Sequence, residues 1–358
     1  MLTCIVLPFP ALVVTPEDIH IMSQANVELL QAVATRSSDT VTALLTPPPP
    51  DIPGHTHALD VNFQDWDGQT ALMVACALGD EGLVELLLRH GADVHTRDRE
   101  DITALIEAAS GGHVGIVRRL VEEGAEVGGR TKQGFSPLWL SVAGNHTEVV
   151  SYLLSQGKEG GGEDGEVDVD QVVTNGMTAL MVACSNGAFD IGMALVAVGA
   201  NIHAVDDEGS SALVHAVQAG CTPLVDMLLA AGADANILPL HQFTPLLIAA
   251  ASGQVALLRA LVVGGAHVDL PHPENVTALM YAAAAASPEA VDYLLTQGAD
   301  VNRLHSQRGS ALIEACGAGD VSVVDLLLHA GADVGVVDVD GITALLTACG
   351  KGHVDIIR

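Results

Sequence analysis

A threonine or serine recurs along this chain at a nearly fixed interval, and that interval constrains the fold more than any other feature. The anchors are Thr70, Thr103, Ser136, Thr178, Ser211, Thr244, Thr277, Ser310 and Thr343. Seven of the eight spacings are 33 residues; the exception, Ser136 to Thr178, is 42, an insertion of nine. Leucine stands two places after every anchor, from Leu72 to Leu345, and seventeen places after the first eight, from Leu87 to Leu327. Glycine stands twenty-one places after those eight, from Gly91 to Gly331. A period of this length marks a solenoid, in which each repeat is one supersecondary unit and neighbours complete its core.

Each unit reads as two short helices and an extended turn. In the first, Thr70 opens a helix with the apolar residues Leu72, Met73, Ala75 and Cys76, and Gly79 ends it in the left-handed conformation. Leu83, Val84, Leu86, Leu87 and Leu88 form the second helix, which Gly91 closes. Asp93 to Asp101 is left for the turn to the next unit. Asn145 replaces the first glycine in one unit and tolerates the same backbone. Ala286 replaces it in another, before Ser287-Pro288, which predicts a shifted turn there.

This pattern resembles the ankyrin repeat. The family's Thr-Pro-Leu-His-x-Ala core is echoed by Thr70-Ala71-Leu72-Met73-Val74-Ala75 and Thr244-Pro245-Leu246-Leu247-Ile248-Ala249. Its Gly-Ala-Asp-Val-Asn turn is echoed by Gly91-Ala92-Asp93-Val94-His95 and Gly298-Ala299-Asp300-Val301-Asn302. The resemblance implies an all-α solenoid of paired short helices joined by β-turn loops. Units start at Asp65, Asp98, Thr131, Val173, Asp206, Pro239, His272, His305 and Asp338.

The expected organisation has four parts. Residues 1–22 form an unstructured leader, or lie upstream of a true start at Met22. Residues 23–64 form an N-terminal capping repeat with an insertion around Pro47-Pro48-Pro49-Pro50. Residues 65–337 hold eight repeats, with an acidic, Gly-rich insertion near 158–166. Residues 338–358 read as a truncated repeat. The family's core His is replaced in every unit by an apolar residue, from Met73 to Leu346, which predicts looser turns.

Composition narrows the function. With 14 basic and 44 acidic residues the net charge is −30, which argues against nucleic acid and anionic membranes as partners. No apolar run reaches the ~18 residues of a membrane helix. The segment from Met1 to Val14 has no Lys or Arg and two prolines, unlike a signal peptide. Six cysteines in 358 residues are not a disulfide framework.

Candidate chemistry is sparse. Cys76, Cys184, Cys316 and Cys349 share one repeat position where other units carry Ala or Val, so they read as small buried residues. Cys221 lies near His215 and Asp226, without a clear base or oxyanion hole. His55 and His57 are a possible metal pair without further ligands. The carboxylates between Glu159 and Asp170 lack ordered calcium-loop spacing. No catalytic residue, metal site or cofactor is therefore assigned, and the chain is not expected to be an enzyme.

The resemblance implies that turn tips and first helices line a concave partner-binding groove. Trp66, Asp67, Gln69, Ile102, Phe135, Met177 and Phe243 are the candidate contacts. Between Glu159 and Leu258 there are twelve acidic residues and no Lys or Arg, which favours a basic protein partner or serves solubility alone. The expected function is a protein-interaction scaffold or adaptor, intracellular, in the cytoplasm or the nucleus. The alternative is a regulatory or targeting segment of a larger signalling enzyme with a catalytic domain beyond residue 358.

Overall fold

The computed structural model describes residues 24–46, 59–156, 167–173, 175–307 and 309–358. The expectations for residues 1–22, the proline run, His55, His57 and most of the acidic insertion fall outside these residues. The chain divides into two compact units: residues 1–144 with 155–167, and residues 145–154 with 168–358.

In the first unit the helices are α1 (Gln24–Ala34), α2 (Ser38–Leu45), α3 (Ala71–Leu78), α4 (Glu81–Arg89), α5 (Ala104–Ser110), α6 (Val114–Glu122) and α7 (Pro137–Ala143). α8 (Thr147–Gln156) straddles the division. The second unit continues with α9 (Ala179–Ser185), α10 (Phe189–Ala197), α11 (Ala212–Gln218), α12 (Thr222–Ala230), α13 (Pro245–Ala251) and α14 (Val255–Val263). It ends with α15 (Ala278–Ala284), α16 (Pro288–Thr296), α17 (Ala311–Ala318), α18 (Val321–His329), α19 (Ala344–Lys351) and α20 (Val354–Ile357). Among the described residues the only extended pairings are two isolated bridges, Val205 to Ser211 and Val337 to Thr343.

The anchor column is a row of N-caps. Thr70 Oγ1 accepts from the Met73 N–H at 3.3 Å, and the other anchors repeat this bond, Ser211 excepted. Each satisfies one of the helix's orphan donors, worth about 1 kcal/mol. The two leucine columns are the core: Leu72, Leu105, Leu213 and Leu246 are buried in first helices, and Leu87, Leu120, Leu228 and Leu261 in second helices. First helices stack on first helices, as α3 on α5 and α11 on α13, and second helices on second, as α12 on α14.

Two expectations need correction. The turn after α15 is not shifted. Ala286 adopts φ 51°, the same left-handed geometry that Asn145 takes at 58° and Gly79 at 72°. Its Cβ carries strain there, held because the Ser287 N–H still donates to the Ala282 carbonyl. Nor are the turns loose for want of the family His. The residue that opens the turn ties it instead. Asp65 Oδ1 accepts from the N–H groups of Asp67 at 2.9 Å and Gln69 at 2.8 Å. Asp98, Asp206 and Asp338 accept the corresponding pairs. Thr131 Oγ1 holds the Phe135 N–H at 3.0 Å.

Candidate interaction face

The turn tips are joined backbone to backbone. In the first unit the Arg99 N–H donates to the Asp67 carbonyl at 2.9 Å, and the Lys132 N–H to the Glu100 carbonyl at 2.9 Å. In the second unit Asp207 donates to Asn175, Leu240 to Glu208, Ser306 to Glu274 and Val339 to Gln307. Pro273 has no N–H, so this ladder is broken before it. Successive tips are thereby held in register, and side chains at equivalent positions form rows.

The candidate contacts fall on both units. Trp66 is 44% exposed and Asp67 is exposed, while Gln69 is half-buried, all three on the tip that Asp65 ties. Ile102 and Phe135 are half-buried on the next two turns. Phe135 packs tilted against Trp139, centroids 4.7 Å apart, so part of its ring is committed to its own repeat. The buried Trp139 indole N–H has no hydrogen-bond partner among the described residues. In the second unit Phe243 packs against His272 at 5.1 Å and Tyr281 at 5.6 Å. Met177 is corrected as an exposed contact: it is only 7% exposed, and Gln171 and Val173 before it are buried as well.

Sequence reasoning missed the role of His215. Its Nε2 meets Asp206 Oδ2 at 2.9 Å, and its Nδ1 meets Ser185 Oγ at 3.2 Å. The order Ser–His–Asp has the connectivity of a charge relay. The chemistry does not follow. The N–H groups after Ser185 are spent: Asn186 donates to Val182, Gly187 to Cys184 and Ala188 to Ala183. These three N–H groups are therefore not available to hold a developing oxyanion, which an acyl-transfer site requires. The chain of bonds ties two consecutive repeats. The signal was available, since His215 lies four places after an anchor and Asp206 five places before it. The same two positions hold His305 and Glu314, 3.6 Å apart, and Asp98 and Glu107.

Cys76 and Cys184 are fully buried and Cys316 nearly so. Burial raises all three thiols, Cys184 to about 12. Cys349 departs from the expected set: it is exposed. Among the described residues no group of three His, Cys, Asp or Glu side chains is placed to hold a metal ion. A cleft of about 200 Å³ in the second unit is lined by Ile202, His203, Ser211, Asp234 and Ile237. It is smaller than the roughly 300–1,000 Å³ of small-molecule sites.

Paired helices, N-capped in register and stacked first on first and second on second, define a helical repeat protein. Family models described as "Ankyrin repeats (3 copies)" match residues 9–98, 79–164, 162–239 and 233–305, and one described as "Ankyrin repeats (many copies)" matches residues 312–358. The chain belongs to the ankyrin repeat family. Among solved structures it is similar to the human ASB11 ankyrin repeat domain, with 26% identity and a TM-score of 0.55 over 63% of this chain and 98% of that one. No curated protein matches it. Ankyrin repeats are in general protein-binding modules, and the repeats themselves are non-catalytic.

Proposed function

We propose that this protein is an interaction scaffold that binds a protein partner through its turn tips and the adjoining first helices. The observation that carries this is the tip of the first full repeat. Trp66 is a large aromatic left 44% exposed on a turn whose backbone is fixed by Asp65. A rigidly mounted, exposed tryptophan beside half-buried apolar residues is the usual composition of an interface hot spot. Ile102 and Phe135 extend the same row on the following turns, and Phe243 supplies an aromatic to the second unit. The five described cysteines are free thiols, which suits a reducing compartment and supports an intracellular location. Among the described residues no helix is long and apolar enough to cross a membrane.

The test is a quantitative pull-down with the full chain against a variant carrying Trp66→Ala, Ile102→Ala and Phe135→Ala. Proteins enriched on the wild type should be lost from the variant while its circular dichroism is unchanged. Enrichment no better than empty resin would refute the scaffold reading. Equal retention by both proteins would refute this face.

A further inference from the structure

One row of tip residues changes character between the two units. Six places before each anchor the first unit carries Gln64, Arg97 and Arg130, whereas the second carries Val172, Val205, Leu238, Pro271, Leu304 and Val337. The polar residues at this position in the first unit show that the fold does not need an apolar side chain there. Yet Val172 is 56% exposed, Val205 49% and Leu238 53%, and Leu240, two places on, is 73% exposed. Scattered exposed apolar side chains need no explanation, but a row repeated at one register position does.

The surroundings of this row are acidic. Asp168 and Asp170 precede Val172, Asp207 and Glu208 follow Val205, and Asp234 precedes Leu238; all five are exposed. No Lys or Arg occurs from Glu159 to Leu258 to offset them. An apolar ridge edged by carboxylates is complementary to a segment that carries both apolar and basic side chains.

Spacing sets the conformation of that segment. The ridge residues sit on tips joined by the bonds from Asp207 to Asn175 and from Leu240 to Glu208. Consecutive tips therefore keep the separation of packed helices, about 10 Å. Three residues of extended chain span about 10 Å, and one turn of polyproline II about 9 Å. An α-helix rises only about 5.4 Å per turn and meets the ridge out of step.

From these observations we infer that the ridge of Val172, Val205, Leu238 and Leu240 docks an extended basic segment of a partner protein with apolar side chains three residues apart. The inference rests on the scaffold reading above and assigns the partner's chemistry at one part of that face.

The test uses the full chain and fluorescein-labelled synthetic peptides followed by anisotropy. One peptide places leucine at every third position with lysine and serine between. A second has glutamate for lysine, and a third has leucine at every fourth position. The first should bind at least about tenfold more tightly than either of the others. Val205→Ser, Leu238→Ser and Leu240→Ser together should weaken it by at least about tenfold, with unchanged circular dichroism. Val263→Ser, which removes an exposed valine away from the ridge, should leave it unchanged. Equal binding of the three peptides, or full binding by the triple-serine variant, overturns the inference. So does serine-sensitive binding of neutral phosphatidylcholine vesicles without peptide selectivity, which assigns the ridge to a lipid surface. Each of these leaves the scaffold reading standing if the pull-down still depends on Trp66 and Phe135, so the two fail separately.

Discussion

Single side chains at equivalent positions meet different surroundings, and their chemistry follows the surroundings. Cys76, Cys184 and Cys316 are sealed by the next repeat, and their raised thiols leave little thiolate at neutral pH. Cys349 occupies the same register and is exposed. Labelling with a maleimide under native conditions should therefore modify Cys349 within minutes and spare the other three until denaturant is added; fast modification of Cys184 would contradict its burial. Glu107 shows the same dependence. Burial first, and the Asp98 charge second, raise its carboxyl from 4.5 to about 7. The folded chain then holds more protons than the unfolded chain between those values, so stability falls as pH rises through that window, and the penalty is complete above about 7. Glu107→Gln should stabilise the protein by about 1–2 kcal/mol at pH 8, with the gain shrinking toward pH 5. Urea melts at the two pH values check this, and a gain that is the same at both would show that charge is not its cause. The repeat register made the cysteine column legible in the sequence. The degree of burial of each member depends on the unit packed against it, not on the register alone.

At the level of elements, the first helices from α3 onward were legible because each boundary has its own chemical mark: a hydroxyl residue at the start and a left-handed residue just past the end. The turns were harder to read. The family's His seemed to be the tie that was missing, whereas the tie is the aspartate that opens the turn, bonded to backbone groups two and four places on. That bond is local and follows from the short reach of an Asp side chain, so Asp65, Asp98, Asp206 and Asp338 carried the signal in the sequence. Helices with identical marks still differ in stability. In α13, Leu246 and Leu247 are buried at 2% and 0% exposure, but the matching Leu345 and Leu346 of α19 are 55% and 53% exposed. α20 buries no residue at all. In a stack stabilised by nearest neighbours, a helix covered on one side opens at lower free energy. Amides of α19 should exchange at least roughly tenfold faster than those of α13. Hydrogen exchange read by mass spectrometry over the two helices decides it, and equal protection would mean that α19 is covered in solution, for instance by a second copy of the chain.

At the scale of the whole molecule, the sequence specified the class of architecture because a solenoid is one unit written many times: one leucine column runs through all nine repeats, and a second leucine column and a glycine column run through the first eight. The interval of 42 residues was the one irregularity, and the division of the chain falls beside it, at residues 144 and 145 and again between 154 and 168. The proposed contact residues were less legible. A column identifies positions that the fold holds constant, while a binding surface is built from positions that it leaves free. Met177 and Val172 show this, since both are apolar and near one turn, yet one is buried and the other is 56% exposed. Charge acts at this scale too. A net charge of −30 makes the folded state repel itself, and ion pairs such as Arg119 with Glu85 and Glu123 oppose that only locally. Raising sodium chloride from about 10 to about 150 mM shortens the screening length from roughly 30 to roughly 8 Å. The unfolded chain is expanded and gains less from screening than the folded one. The melting temperature should therefore rise with salt by roughly 2–5 °C, most of it below about 150 mM, where screening changes fastest. Thermal melts by circular dichroism across that range measure it. A melting temperature that falls instead would mean that the ion pairs of α4 and α6 contribute more to stability than the excess of carboxylates takes away.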